Sequence, residues 1–324
     1  MSSWTIRGAW LTVTLIGLLW LAPMTRLRQW EVFAILVAPD KVIALSVGVA
    51  ALLALGCGIF GRRRRVLIPV AIAGLLVSSL YGGRVLVQGV IDPPPPTQGG
   101  LTVLSWNAQD TSPADIVSAI ASVVRDRDVE VIILPETGSL AGRRVSDGLR
   151  ELGWSNEYFG PEATGVLIRS DVAETGGYGL VPGNPPWAGL TVAPATASAG
   201  TPVILAAHIT QPSLGNVDVR GKQLRWVRRA CRDNEFVLAV GDFNATLNHL
   251  PGDRLGACAD VAVAHGAGAA STWPTWLPPW LGISIDRALV GPPLHPGQAT
   301  VEILRSVDTA GADHWPILVT LSGR

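Results

Sequence analysis

Apolar and polar residues follow one another in two different ways along this chain, and the change falls near residue 92. Before it, three runs carry no charge: 8–25 between Arg7 and Arg26, 42–61 between Lys41 and Arg62, and 66–83 between Arg65 and Arg84. A helix needs about 20 apolar residues to cross the ~30 Å hydrocarbon core, and about 18 lies within range, so the runs predict three transmembrane helices. The first run could instead be a signal peptide, but WLAPMTRLRQW offers no small-x-small cleavage site and further spans come after it. From Leu101 the pattern becomes short strands alternating with helices. Strands are predicted at 101–106, 129–134, 165–169, 202–208, 236–241, 283–290, 300–304 and 315–321. Helices are predicted at 114–124, with Thr111 or Ser112 as N-cap, at 139–152, and at 217–232 with Leu224, Val227 and Cys231 on one face. Between the two regimes, Asp92 and four prolines lead into Thr97-Gln98-Gly99-Gly100, a spacer over 92–100. As polyproline II it reaches at most about 28 Å, which would hold the second part of the chain close to a bilayer.

A chain of 324 residues allows about two domains at ~150 residues each. The expected division is a membrane domain over 1–91, the linker 92–100, and a mixed α/β domain over 101–324. With 48% hydrophobic and 15% charged residues, disorder is excluded. The net charge of zero conceals a split: residues 1–91 hold nine Lys/Arg against two acids (+7), and residues 92–324 hold 16 against 23 (−7). An acidic second part argues against gripping nucleic acid by bulk electrostatics. The densest basic cluster, Arg62 to Arg65, lies between the second and third runs. The positive-inside rule then puts this loop in the cytoplasm and everything after the third span outside, although Arg26, Arg28 and Lys41 weaken the bias. Three cysteines without a C-x-x-C pair exclude a disulfide-framework miniprotein and suggest no zinc site.

Candidate chemistry collects at strand ends. Asn107, Glu136, His208 and Asp242 each come directly after an apolar run, Asn244 stands two residues past Asp242, and Asp313-His314 precedes the last strand. Asp286 lies inside the apolar run ISIDRALV, where an acid needs a partner to offset its burial. Singly each is weak; strand-end acids are usually solvated or capping, and histidines are usually structural. His249, His265 and His295 lack such context and read as surface or loop residues. Hard oxygen ligands without thiolate favour magnesium or manganese.

The ordered set SWN, LPE, AAHIT, GDFNAT, SIDRALV and ADHWPI resembles the endonuclease/exonuclease/phosphatase superfamily, which includes deoxyribonuclease-like nucleases, neutral sphingomyelinases and inositol polyphosphate 5-phosphatases. GDFN and the terminal DH are its specific elements. The resemblance implies an α/β (α+β) four-layer αββα sandwich. It also implies a metal site with Glu136 as main ligand and Asn107 and Asp313 near the same Mg2+ or Mn2+. Asp242, helped by Asn244, would orient and deprotonate water. His208 and His314 would donate to phosphate oxygens, with Asp286 orienting His314. Such metal and cationic donors suit phosphoryl transfer. Departures from the family pattern are Gln109, Pro135, Arg287 and Ala312; none removes a reacting group.

The layout also resembles the teicoplanin-resistance-type membrane proteins, which implies a plasma-membrane, multi-pass protein with an extracytoplasmic hydrolase acting on a lipid-linked phosphate such as a polyprenyl pyrophosphate. A tethered nuclease and a non-catalytic envelope module are the alternatives. Trp273, Trp276 and Trp280 stand in a proline-rich loop that either dips into the bilayer interface or packs over the sheet. The basic run Arg220, Lys222, Arg225, Arg228, Arg229 and Arg232 reads as a solvated helix face, with a surface for lipid or nucleic-acid phosphates as the alternative. Cys231 and Cys258, with 26 residues between them, are either a disulfide or two reduced buried thiols.

Overall fold

The computed structural model describes residues 3–61, 63–92, 100–250 and 254–322. The expected spacer falls almost entirely on 93–99, outside the described residues.

Among the described residues four helices come first: α1 (Ser3–Leu19), a short α2 (Glu31–Leu36), α3 (Asp40–Phe60) and α4 (Arg64–Gln88). Two of them, α3 and α4, are long and apolar enough to cross a membrane, with mean hydropathies of 2.5 and 1.9. The expected first span over 8–25 is corrected: α1 ends at Leu19 after 17 residues. The cause is local. Pro23 has no N–H to continue the ladder, and the chain folds into 3-10 turns at Ala22–Met24 and Arg26–Gln29. The other two expected runs fall on the apolar helices α3 (Asp40–Phe60) and α4 (Arg64–Gln88). Gly74 lets α4 lie against α3, since a Cβ there would meet the Ala51 Cβ at 2.9 Å. Ser78 Oγ donates to Ala44 O (2.7 Å), and Arg84 lies 3.7 Å from Asp40. The end of α4 and the start of α3 thus share one side with the segment 20–39.

The rest of the described chain builds two sheets. The first contains β1 (Gly100–Ser105), β2 (Val131–Leu134), β3 (Asn156–Phe159), β4 (Gly165–Arg169), β12 (Ala299–Ile303) and β13 (Ile317–Ser322), in the order β12-β13-β1-β2-β4-β3. The second contains β5 (Gly179–Leu180), β6 (Gly189–Ala193), β7 (Val203–His208), β8 (Val237–Asp242), β9 (Arg254–Leu255), β10 (Cys258–Asp260) and β11 (Asp286–Val290), in the order β5-β6-β7-β8-β11-β10-β9.

Period-two alternation decides which side chains meet. Leu101, Val103, Val131 and Ile133 face Ile204, Leu238 and Val240 across the gap between the sheets. Leu104, Ile132 and Leu134 point the other way, under α5 (Pro113–Asp126) and α6 (Ser139–Glu151), where Ile116, Ile120 and Leu149 cover them. The short α7 (Ser170–Gly176) follows β4, and on the far side Val237 and Ala239 pack under Val227 and Cys231 of α8 (Val217–Asp233). Each fully buried Ile or Leu contributes about 1.5–3 kcal/mol. The result is a mixed α/β fold with two sheets between helices, as expected. Ser112 caps α5, its Oγ accepting from Asp115 N, with Pro113 in the first turn.

Cys231 of α8 and Cys258 of β10 are bonded, with Cα atoms 5.4 Å apart. The bridge closes the loop that carries GDFNAT. Cys258→Ser is expected to remove about 3–4 kcal/mol of stability, read as a fall in thermal midpoint of roughly 10 °C in detergent. Equal midpoints for wild type and variant would show that the bridge constrains nothing.

Candidate active site

Register brings the candidate residues to one end of both sheets. In the second sheet β7 runs parallel to β8 and places His208 opposite Asp242, while antiparallel β11 places Asp286 opposite Asp242 on the other side. Asp242 is therefore flanked by both. In the first sheet Asn107 comes after β1, Glu136 after β2, and His314 precedes β13, which runs antiparallel to β1 with Ser105 opposite Ile317. The Gly of GDFN has a steric cause: Gly241 has φ 143°, and a Cβ there would lie 2.1 Å from Ala207 O.

The side chains converge on Asp242. Asn107 Nδ2 donates to Glu136 Oε1 (3.0 Å) and Asp242 Oδ2 (3.1 Å). Asn244 donates from its backbone N to Asp242 Oδ1 (2.7 Å) and from Nδ2 to Asp242 Oδ2 (2.9 Å). His208 Nε2 lies 2.8 Å from Glu136 Oε1. His314 Nδ1 lies 2.9 Å from Asp286 Oδ2, and its Nε2 is 4.0 Å from Asp242 Oδ2. Glu136 (φ 58°) and Asn244 (φ 46°) both adopt the left-handed region, a strain that the surrounding bonds hold in place at this site. The eighth residue, Asp313, stands at the edge of this group, its Oδ1 3.9 Å from His314 Nε2. Asp313 lines the same cavity of about 380 Å³ but is turned toward Trp273, whose Nε1 donates to its Oδ2 (2.7 Å).

Electrostatics follow from the packing. Burial pushes the Asp242 carboxyl up to about 6, opposed by His314 and His208 and reinforced by Asp286. Burial works against an imidazolium at His314, yet Asp286, Asp242 and Asp313 more than offset it and raise its pKa to about 10. Burial also opposes charge on Glu136 and His208, but their mutual bond lowers the first and raises the second. The site therefore favours the charged form of both histidines beside its carboxylates. Glu136, His208 and Asp242 offer ligand atoms all within 4.8 Å of one another, and His208 Nδ1 is buried with no partner among the described residues. The two carboxylates of this group fit a divalent metal, which His208 could join only as the neutral imidazole.

Several contributors were not singled out by the sequence. Trp106 of SWN is buried and its Nε1 donates to His314 O (3.0 Å). Thr272 Oγ1 accepts from Asp286 N (3.1 Å), and Thr275 N donates to Asp313 O (2.8 Å), so the proline-rich loop holds both acids. Arg287 points away from the site and forms a buried pair with Asp260 (2.7 Å), which accounts for its departure from the family pattern.

Two expectations are corrected. Arg220 is not on a solvated face but 4% exposed, with Nη1 donating to Thr210 O. His249 is not a surface residue: it is buried, its Nε2 is 2.7 Å from Ala34 O, and its Nδ1 accepts from Thr246 N (3.0 Å). Burial, with Arg220 nearby, pushes the His249 pKa down to about 3. An unfolded chain would take up this proton near pH ~6.5, so stability is complete above that value and is lost as pH falls. The loss is about 1.4 kcal/mol per pH unit, or about 2 kcal/mol by pH ~5. The thermal midpoint of His249→Gln is expected to fall less steeply with acidification than that of wild type. Identical slopes would refute the assignment.

A model of the endonuclease/exonuclease/phosphatase family matches residues 104–314. The chain belongs to that family. Members of the endonuclease/exonuclease/phosphatase family are hydrolases of phosphoester bonds and generally use divalent metals. Among solved structures, the 3′ phosphatase NExo from Neisseria, bound to product DNA hairpin, is similar with a TM-score of 0.52 at 15% identity, covering 69% of this chain and 100% of that one. Humanized TDP2 of D. rerio is similar with a TM-score of 0.50 at 18% identity, covering 69% and 99%. At these identities the likeness is one of fold. A comparison with curated proteins finds no match.

Proposed function

We propose that the protein is a membrane-anchored, divalent-metal-dependent phosphoesterase that hydrolyses a phosphate ester or pyrophosphate of a lipid-linked substrate on the outer face of the membrane. One observation carries this reading: the catalytic cavity is walled in part by Ala38, two residues before the first turn of α3. The proline-rich loop flanks the same side. Lys41 Nζ donates to Pro279 O (3.3 Å), and Trp276 and Trp280 are 72% and 62% exposed, where indole rings suit a bilayer interface. Trp273 instead packs in the site, so the loop serves both purposes considered for it.

In this reading Glu136 is the main metal ligand, with Asn107, after a flip of its amide, and Asp313 nearby. The Mg2+ or Mn2+ would polarise the phosphoryl oxygen and neutralise developing charge. Asp242, oriented by two bonds from Asn244, accepts a proton from the attacking water as its oxygen bonds to phosphorus and the leaving oxygen departs. His208 and His314 donate to the non-bridging oxygens, and Asp286 keeps His314 charged. The Arg62–Arg65 cluster supports a cytoplasmic loop, and the Cys231–Cys258 bond supports an oxidising outer compartment. A polyprenyl pyrophosphate, the substrate associated with teicoplanin-resistance-type proteins, fits these constraints.

The test is magnesium-dependent phosphate release by full-length protein in detergent, comparing polyprenyl pyrophosphate with plasmid DNA and using His314→Ala as blank. Release from the lipid, lost in the blank, is expected. DNA nicking without lipid turnover would establish a tethered nuclease instead, the reading to which the DNA-bound NExo structure lends its fold but the −7 charge of residues 92–324 does not. On vesicles, Trp276→Ser with Trp280→Ser is expected to lower lipid turnover about fivefold and leave a soluble aryl phosphate untouched, since the indoles would seat the loop at the interface and touch no reacting group. Equal losses on both substrates would make the tryptophans structural.

A further inference from the structure

A second cavity, of about 650 Å³, lies between the segment 28–34 and α8. Among the described residues, four arginines line it: Arg28 from the segment and Arg220, Arg225 and Arg228 from α8. Two acids also line it, and Glu31 is already engaged, accepting from Gly215 N (2.9 Å). The cationic wall is thus in excess. It is also incompletely satisfied. Arg220 is 4% exposed, yet its Nη2 is buried with no hydrogen-bond partner among the described residues. Arg28 repeats the pattern, with Nη1 donating to Pro23 O (2.6 Å) and Nε buried and unpartnered among the same residues. Arg28 and Arg228 oppose each other closely enough for repulsion to disfavour charge on Arg28, beyond what burial does. An anion between them would relieve both conditions.

The remaining wall is apolar. Trp30, Phe33, Leu224 and Leu250 line it, and the segment they adjoin exposes Met24, Val32 and Ile35. A cationic end with an apolar exit matches a phosphate that carries hydrocarbon. The location agrees, because the segment 20–39 joins the end of α1 to the start of α3, at the boundary where α3 would leave a bilayer.

We propose that this cavity binds the phosphate of an anionic phospholipid, with its acyl chains leaving past Trp30 and Phe33. The inference rests on the membrane placement proposed above, but not on the identity of the hydrolysed substrate. It gives the site a regulatory meaning. His249 lines both cavities and holds Ala34 O, so a lipid seated here fastens the segment that supplies Ala38 to the catalytic wall.

The test is native mass spectrometry of delipidated full-length protein in EDTA, with phosphatidylglycerol against phosphatidylcholine of matched chains. One phosphatidylglycerol per chain is expected, with phosphatidylcholine about tenfold weaker. R225Q/R228Q should also weaken phosphatidylglycerol about tenfold with an unchanged thermal midpoint, because neither side chain is buried. Equal binding of the two lipids, or unchanged binding by the double variant, would overturn the proposal. Displacement by millimolar inorganic phosphate would also overturn it, showing a free-anion site. Because EDTA abolishes metal-dependent turnover, retained lipid binding beside absent hydrolysis in a magnesium-supplemented assay would sink only the catalytic reading, and the reverse would sink only this one.

Discussion

Asp242→Asn is expected to lower turnover by about 10³–10⁴-fold, toward the upper end of what general-base catalysis supplies. The carboxylate is the hub of the site. It accepts from Asn107 and twice from Asn244, lies between His208 and Asp286 in the sheet register, and is 1% exposed. Burial raises its pKa to about 6, near enough to neutrality to accept a proton from water and release it again. The amide keeps the shape but cannot take the proton. The amide also loses one acceptor shared by Asn107 and Asn244, so the thermal midpoint is measured beside turnover and the comparison is made where the variant is folded. Turnover within tenfold of wild type, measured as phosphate release in a single-turnover experiment, would remove Asp242 from the base role.

Asp286→Asn is expected to lower turnover about 10²-fold near neutral pH and to reshape its pH dependence. His314 is buried, which disfavours its charge, and Asp286 is the first of the carboxylates that restore it and raise the pKa to about 10. In the proposed mechanism the charged form is the donor, so wild-type activity should persist until pH rises through that value. Without Asp286 the alkaline limb should move down by at least about 1 pH unit, since losing one close opposite charge is worth 1–3 units. The same linkage gives stability that is complete below pH ~6.5 and is lost as pH rises through about 10. A pH–rate profile with an unmoved alkaline limb would show that Asp286 is structural only.

Much of the fold was legible because burial on two faces leaves a clear record. Val131 to Leu134 and Val237 to Val240 are unbroken apolar runs, since one face packs between the sheets and the other under helices. Strands without such a record were missed. Asn156–Phe159 is polar and lies on a sheet edge, Gly189–Ala193 is short and comes after a proline-rich loop, and Cys258–Asp260 has three residues. Seven of the candidate site residues were legible as polar groups at or beside strand ends and Asp286 as an acid inside an apolar run, and the register explains why they meet at one end of the sheets. Arg220, His249 and Arg287 were not legible. Their burial depends on partners far along the chain: Ala34 O for His249, at a separation of 215 residues, and Asp260 for Arg287, at 27. Only the apolar neighbours Leu247 and Leu250 hinted at His249. The first apolar run misled because composition counted through Pro23, where the α-helical ladder has already given way to 3-10 turns.

The central place of β13 has a consequence for biosynthesis. This strand is the last in the described chain, yet it lies between β12 and β1, and its register with β1 joins residues 317–322 to 100–105. A ribosome that has released β1 through β12 has made chain that carries Glu136, His208, Asp242 and Asp286 but neither Asp313 nor His314. The nascent protein therefore holds most of the proposed hydrolytic centre, which cannot yet close. The first sheet and the proposed phosphate-binding end are completed by the same late event, so a prematurely terminated chain would be both edge-exposed and chemically silent.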